Sequence, residues 1–208
     1  MKALLSAACF GTALLFSALG PASVCHAADP VPLMESSLDN FGWKFDNGRE
    51  FPGAKGGISV DQEVTYKDKP TLKLVGDFTE GGAYVRTAGV FAAGDITEVS
   101  FWIKNPRLTN LTLRLLDSTR QCHQFTLKIE PGTDWQQVVF KPQQYFAKDG
   151  AMDGNKVVRY QSWGGSADKE WHGAAGTMDI IIGKPPVEHD SSLVSELWIA
   201  EVTVTPKS

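Results

Sequence analysis

Beyond its first thirty residues the chain is dominated by period-two alternation of apolar and polar positions. Val99, Phe101 and Ile103 alternate with Ser100, Trp102 and Lys104, and Leu111, Leu113 and Leu115 with Thr112, Arg114 and Leu116. Phe125, Leu127 and Ile129 alternate with Thr126 and Lys128, and Leu72 and Leu74 with Thr71, Lys73 and Val75. Further short β-prone runs cover Trp135–Phe140, Met178–Ile182 and Leu197–Val204. Successive side chains of a strand point to opposite faces, so each alternation predicts a strand with one face on a core. Between the runs stand Asn47-Gly48, Pro52-Gly53, Gly56-Gly57, Gly81-Gly82, Asn105-Pro106, Pro131-Gly132, Asp149-Gly150 and Pro185-Pro186. Such dipeptides supply the positive or fixed φ that tight connections need. No segment beyond residue 27 has helical periodicity. The pattern predicts an all-β chain, an antiparallel two-sheet β-sandwich of roughly eight to ten strands with little helix.

The N-terminus reads differently. Met1-Lys2 is a short basic start, and Ala3 to Leu19 is apolar or small without one charge. Small side chains at Cys25 and Ala27 suit the −3 and −1 positions of a signal peptidase, so residues 1–27 are expected to be a signal peptide. Cleavage is placed after Ala27, with Ala28 as the alternative, leaving residues 28–208 as a single β-sandwich domain in the periplasm or outside the cell. The rival reading is a membrane anchor, for which the apolar run is barely long enough. Val24 before Cys25 is a poor lipoprotein signal. No later run is apolar enough to cross a bilayer.

Losing residues 1–27 leaves about 180 residues, enough for a substantial core. It also leaves 19 Lys and Arg against 24 Asp and Glu, a formal charge of −5. A mildly acidic chain without basic clusters argues against nucleic acid and anionic membrane surfaces. Cys9 and Cys25 leave with the leader, so Cys122 stands alone and no intrachain disulfide can form. A monomer with a buried, reduced thiol is expected.

Several segments resemble galactose-binding-like (jelly-roll) carbohydrate-binding modules, similar to the accessory modules of secreted bacterial glycoside hydrolases. They are NGREFPGAKG, LKLVGDFTEGGAYV, LTLRLLDSTRQCHQ, DWQQVVF and the Ser162-Trp163-Gly164-Gly165 loop, within a likeness running from about Leu38 to Val204. The resemblance implies a jelly roll that binds sugar through one sheet's concave face or through rim loops, often with a structural calcium. In related modules an acid near the first strand and another in the last strand share that ion. The matching places hold Asp39 and Glu201, with Asp68 as a further donor, although Ala200 stands where an acid is often found. Zinc is poorly supported, because His123, His172 and His189 have no ligand spacing.

Sugar recognition needs flat apolar surface for the pyranose C–H face and fixed polar groups for the hydroxyls. Arg114 lies opposite the leucines of its strand, on the non-core face. Asp117, Gln121, His123 and Gln124 follow across a turn, Tyr84 and Arg86 share one face of their strand, and Trp163 and Trp171 lie in a glycine-rich loop. The candidate ligand contacts are therefore Tyr84, Arg114, Asp117, Gln121, His123, Trp163 and Trp171. Each has a plainer reading: Arg114 and Asp117 as a salt bridge, Tyr84 as a cross-strand packing residue. Trp43, Trp102, Trp135 and Trp198 read as packing residues, with Trp102 of the wrong parity for its strand's core face; His189 reads as solvated. Two rival functions remain, a glycosidase or lyase and a periplasmic protein-interaction factor. An enzyme is disfavoured, because Asp117, Asp168, Glu170, His123 and His172 show no selective spacing and no G-x-S-x-G, H-E-x-x-H or P-loop pattern occurs.

Overall fold

The computed structural model describes residues 28–91, 95–146, 150–151, 156–173, 176–186 and 192–207. Thirteen strands lie within them. They are β1 (Val31–Pro32), β2 (Lys44–Asp46), β3 (Lys55–Tyr66), β4 (Lys69–Asp77), β5 (Tyr84–Val90), β6 (Ile96–Asn105) and β7 (Asn110–Leu116), then β8 (Cys122–Lys128), β9 (Gly132–Phe140), β10 (Gly150–Ala151), β11 (Val157–Trp163), β12 (Thr177–Gly183) and β13 (Val194–Pro206). Short 3-10 turns occupy Asp39–Gly42 and Pro142–Gln144, and the described residues contain no α-helix. The count exceeds the expected eight to ten because β1, β2 and β10 are two or three residues long. Pieces that short carry no alternation to detect.

The strands form two antiparallel sheets packed as a jelly-roll sandwich. One sheet runs β3-β4-β13-β6-β9, with β1 added against β13; the other runs β10-β11-β8-β7-β12-β5-β2. β12 sits between β5 and β7, and β13 between β4 and β6. The inner faces hold the alternating residues the pattern predicts. Leu72, Leu74, Phe101, Ile103, Leu197 and Ile199 come from one sheet, and Val85, Leu111, Leu113, Leu115, Phe125, Met178, Ile180 and Ile182 from the other, all fully enclosed.

The tryptophans divide. Trp43 is in the core, its indole N–H donating to the Leu33 carbonyl at 2.9 Å. Trp102, Trp135 and Trp198 instead lie on the outside of the six-stranded sheet, where they pack laterally. Trp102 stacks on Tyr66 at 4.9 Å and Trp135 meets the same ring edge-on at 5.1 Å. Trp198 donates to Asp61 at 2.8 Å beneath the Lys73 ammonium. The parity of Trp102 therefore reports its true side of the sheet.

Two substitutions test this packing. Phe101→Ala removes an enclosed ring from the centre of β6 and is expected to cost about 3–5 kcal/mol in denaturant unfolding. Gly89 lies beneath Trp43, and a Cβ there would sit 2.7 Å from the indole carbons. Gly89→Ala is expected to cost roughly 1–3 kcal/mol by overpacking, whereas an unchanged midpoint would place the Trp43 ring elsewhere.

Candidate functional site

The parity that buries the leucines of β7 turns Arg114 outward, and its neighbours on the seven-stranded sheet do the same with polar groups. Ala88, Asp179, Arg114, Gln124 and Gln161 lie in one cross-strand row on β5, β12, β7, β8 and β11. Arg114 donates to the Gln124 side-chain oxygen through Nη2 at 2.9 Å and Nε at 3.3 Å, and Gln124 donates on to Gln161 at 3.4 Å. On its other side Arg114 is 3.9 Å from the Asp179 carboxylate. Arg86 binds the same carboxylate and reaches Asp46 at 3.4 Å. A continuous chain of charged and amide groups thus crosses the sheet.

Aromatic rings flank this chain. The Arg114 guanidinium lies 5.7 Å from the centre of the Tyr84 ring and 5.3 Å from that of Trp163. Phe51 meets Tyr84 edge-on at 6.1 Å, and the Tyr84 hydroxyl donates to Glu50. Phe51 and Trp163 are 53% and 46% exposed, which leaves apolar surface free at both ends of the strip. Arg86, Arg114, Trp163, Asp179, Ala88, Leu116, Cys122 and Thr177 line a depression of about 400 Å³. A larger groove of about 710 Å³ lies on the opposite sheet, over Met34, Phe41, Tyr66 and Trp102. That groove is mainly apolar, with Lys69, Gln137 and Glu201 among its lining; the smaller depression is preferred here because it joins the Arg86–Asp179–Arg114 row to the exposed Trp163 ring.

Burial sets the electrostatics. It pushes the Asp179 carboxyl up, against the pull of Arg86 and Arg114. For Arg86, burial is outweighed by Asp179 and Asp46, which hold the guanidinium firmly protonated. The Cys122 thiol, at the floor of the depression, is pushed up to about 12 by burial.

The structure brings Tyr84, Arg114 and Trp163 together on this face. It separates the other candidates from it. Asp117, Gln121 and His123 are buried at 3%, 0% and 0% exposure, where a glycan cannot touch them. Their side chains point inward because they tie the β7–β8 turn to the loop following β11. Trp171 also turns inward, stacked on Phe146 at 5.5 Å and edge-on to His123 at 5.4 Å. The polar glycine-rich setting of Trp171 suggested exposure, but the ring closes the end of the core. Conversely, Phe51 and Asp179 belong to the face and were not singled out from sequence. Phe51 stands in a connection without alternation, and Asp179 interrupts an apolar run in which neighbouring side chains of both parities are covered.

Among the described residues no group of three or more His, Cys, Asp or Glu side chains could hold a metal ion. Glu201 instead pairs with Lys67 at 3.0 Å, which puts an ammonium where a cation would need the carboxylate. Asp39 lines a different groove with Ile58 and Pro70. His189 lies outside the described residues, as do residues 1–27 with the expected leader and its cleavage site. No helix among the described residues is long and apolar enough to cross a membrane.

No family model matches the sequence, and no curated protein matches it. Solved structures do. The family 11 carbohydrate-binding module of the cellulosomal cellulase Lic26A-Cel5E of Clostridium thermocellum is similar over 87% of this chain and 96% of its own, at 12% identity and a TM-score of 0.51. An exo-β-agarase is similar over 88% of this chain at 12% identity and a TM-score of 0.52, and the agarase AgWH50C over 88% at 14% and 0.50. This chain spans about a quarter of each agarase chain. At these identities the likeness establishes the fold alone, a two-sheet jelly-roll sandwich.

Two measurements follow from the site. Cys122 of the folded protein is expected to react with iodoacetamide at least about a hundredfold more slowly than in denaturant near neutral pH, because thiolate is the nucleophile. The melting temperature in excess chelator tests the calcium expectation. A fall in chelator that calcium reverses would show an ion bound by the folded state.

Proposed function

We propose that the chain is a secreted or periplasmic, non-catalytic glycan-binding protein whose binding surface is the outer face of the seven-stranded sheet. The observation that carries this reading is the strip Phe51–Tyr84–Arg114–Trp163, with successive separations of 6.1, 5.7 and 5.3 Å. Such a strip is longer than one pyranose ring and offers flat faces for sugar C–H groups, while the amide and carboxylate row beside it offers donors and acceptors for hydroxyls. Arg86 and Arg114 are offset by Asp46, Asp179 and Glu50, which leaves no surplus positive charge, so the face suits a neutral glycan. Secretion is supported by the basic start at Lys2 followed by the charge-free apolar run from Ala3 to Leu19, and glycan binding by the fold's likeness to a family 11 carbohydrate-binding module.

Turnover is disfavoured by the same geometry. A glycosidase needs two free carboxyl groups facing each other across the scissile bond. Here Asp179 is engaged by two guanidiniums, Asp46 by Arg86 and Glu50 by Tyr84.

Each sugar hydrogen bond replaces one to water and adds little net energy, so affinity is expected on the order of micromolar to millimolar. Trp163→Ala should weaken binding by roughly tenfold or more without lowering stability, because the ring is exposed. Trp171→Ala should lower stability instead. A glycan array followed by titration with lengthening oligosaccharides checks this: affinity should rise until the strip is filled. Undiminished affinity in Trp163→Ala would remove the platform, and release of cleaved sugar would replace the binding module by an enzyme. Silence on all glycans with a co-purifying protein would favour an interaction factor.

A further inference from the structure

Behind the binding face lies a buried polar cluster that the sugar contacts do not use. Asp117 Oδ1 accepts from the N–H groups of Thr119 and Gln121, both at 2.9 Å, and from the Thr119 hydroxyl at 2.7 Å. Its Oδ2 faces His123 Nε2 and the His172 N–H, each at 3.3 Å. Gln121 donates to the Glu170 carbonyl at 2.8 Å and to Asp168 at 3.2 Å, and accepts from the Lys169 N–H at 3.1 Å. The turn from Asp117 to Gln121 thereby grips the loop from Gly164 to Gly173 from within.

That loop begins at Trp163. The Ser166 N–H donates to the Thr119 hydroxyl at 3.2 Å. Gly165, at φ +54°, lies so close that a Cβ would be 2.3 Å from the Gln121 nitrogen. The exposed ring therefore sits one residue before a connection whose position is set by Asp117 and its partners. We propose that Asp117, Gln121 and His123 are positioning residues for the Trp163 platform, and that protonation of His123 loosens their grip, so that glycan affinity falls in mild acid. This rests on the binding reading above.

The groups facing His123 are Asp117 and Gln121 on its own turn and hairpin, Tyr160 on β11 at 2.8 Å from Nδ1, Phe146 beside Pro142–Gln144, and Trp171, His172 and Asp168 on the loop. With Asp117 ionised, Nε2 carries the proton toward it and Nδ1 accepts from the Tyr160 hydroxyl. A second proton has to enter a site without solvent. Burial accordingly holds His123 below its ordinary value of 6.5, although Asp117 pulls the other way. A group held low in the fold contributes stability that is complete above its unfolded value and is lost as pH falls below it. The window opens below about pH 6.5. Asp117 is itself held low, chiefly by its hydrogen-bond donors against the opposing effect of burial, so its own contribution is lost only in stronger acid.

The test uses amide hydrogen exchange of the ligand-free protein, corrected for intrinsic rates, between about pH 7.5 and about pH 5. Exchange in residues 164–173 should accelerate by up to about tenfold per pH unit below the midpoint, relative to β12. His123→Gln should abolish that step, and His172→Gln, which removes the surface partner of Asp168 and a cation that opposes protonation of His123, should keep it with at most a shifted midpoint. Affinity for the array hit should fall over the same pH range in wild type and stay level in His123→Gln. Protection independent of pH in the wild type would overturn the proposal, and so would a step that disappears with His172→Gln. The wild-type profile decides the matter even if His123→Gln does not fold. A pH step in exchange with no glycan bound at any pH would retain the latch and discard the binding reading.

Discussion

Neither sheet of this sandwich can close until β12 and β13 arrive from the last third of the chain and enter between strands already laid down. Each then pairs on both sides, β12 with β5 and β7, β13 with β4 and β6. Pairing on two sides satisfies the backbone of a strand whose inner side chains, Ile180 and Ile182 or Leu197 and Ile199, are fully enclosed. The same insertion builds the functional face. Asp179 is carried on β12 to the gap between Arg86 of β5 and Arg114 of β7, where one carboxylate serves two guanidiniums. Without β12 the two arginines would belong to separate half-sheets and repel.

That shared carboxylate makes the proposed binding face both charged and preorganised. A buried carboxylate is costly to isolate, but here it has two cationic partners and their positions are fixed by the sheet register. Arg114 is held along both edges, by Asp179 on one side and Gln124 on the other, so its plane is presented between Tyr84 and Trp163 in one orientation. A glycan bound as proposed would meet groups already in place, which limits the entropy lost on binding. The likeness to carbohydrate-binding modules adds the architecture, and the particular side chains on the face are this chain's own.

Polar residues of the turn region divide between two tasks. Asp46, Arg86, Arg114 and Gln124 look outward, with Asp179 buried beneath the two arginines. Asp117, Gln121, His123 and Tyr160 look inward and hold a glycine-rich loop that has no apolar anchor other than Trp171. A loop of this composition cannot dock by hydrophobic burial alone, so buried hydrogen bonds take over, and full satisfaction is what makes them tolerable in the interior.

The sequence by itself determined the strands, their inner faces and the outward direction of Arg114, because period-two geometry is local: a residue's side of a strand follows from its neighbours one and two positions away. The same local rule showed Trp102 to be out of step with its core face. For Asp117 and Gln121 it gave no direction, because turn residues have no period and theirs is set by a loop some fifty positions later; His123, in step with Phe125 and Leu127, points inward by the same alternation that turns Gln124 outward. Nor could it unite Phe51, Tyr84, Arg114, Asp179 and Trp163, which come from five places in the chain and meet only through cross-strand register. The pairing of Glu201 with Lys67 is likewise a contact between residues 134 positions apart that no local pattern encodes.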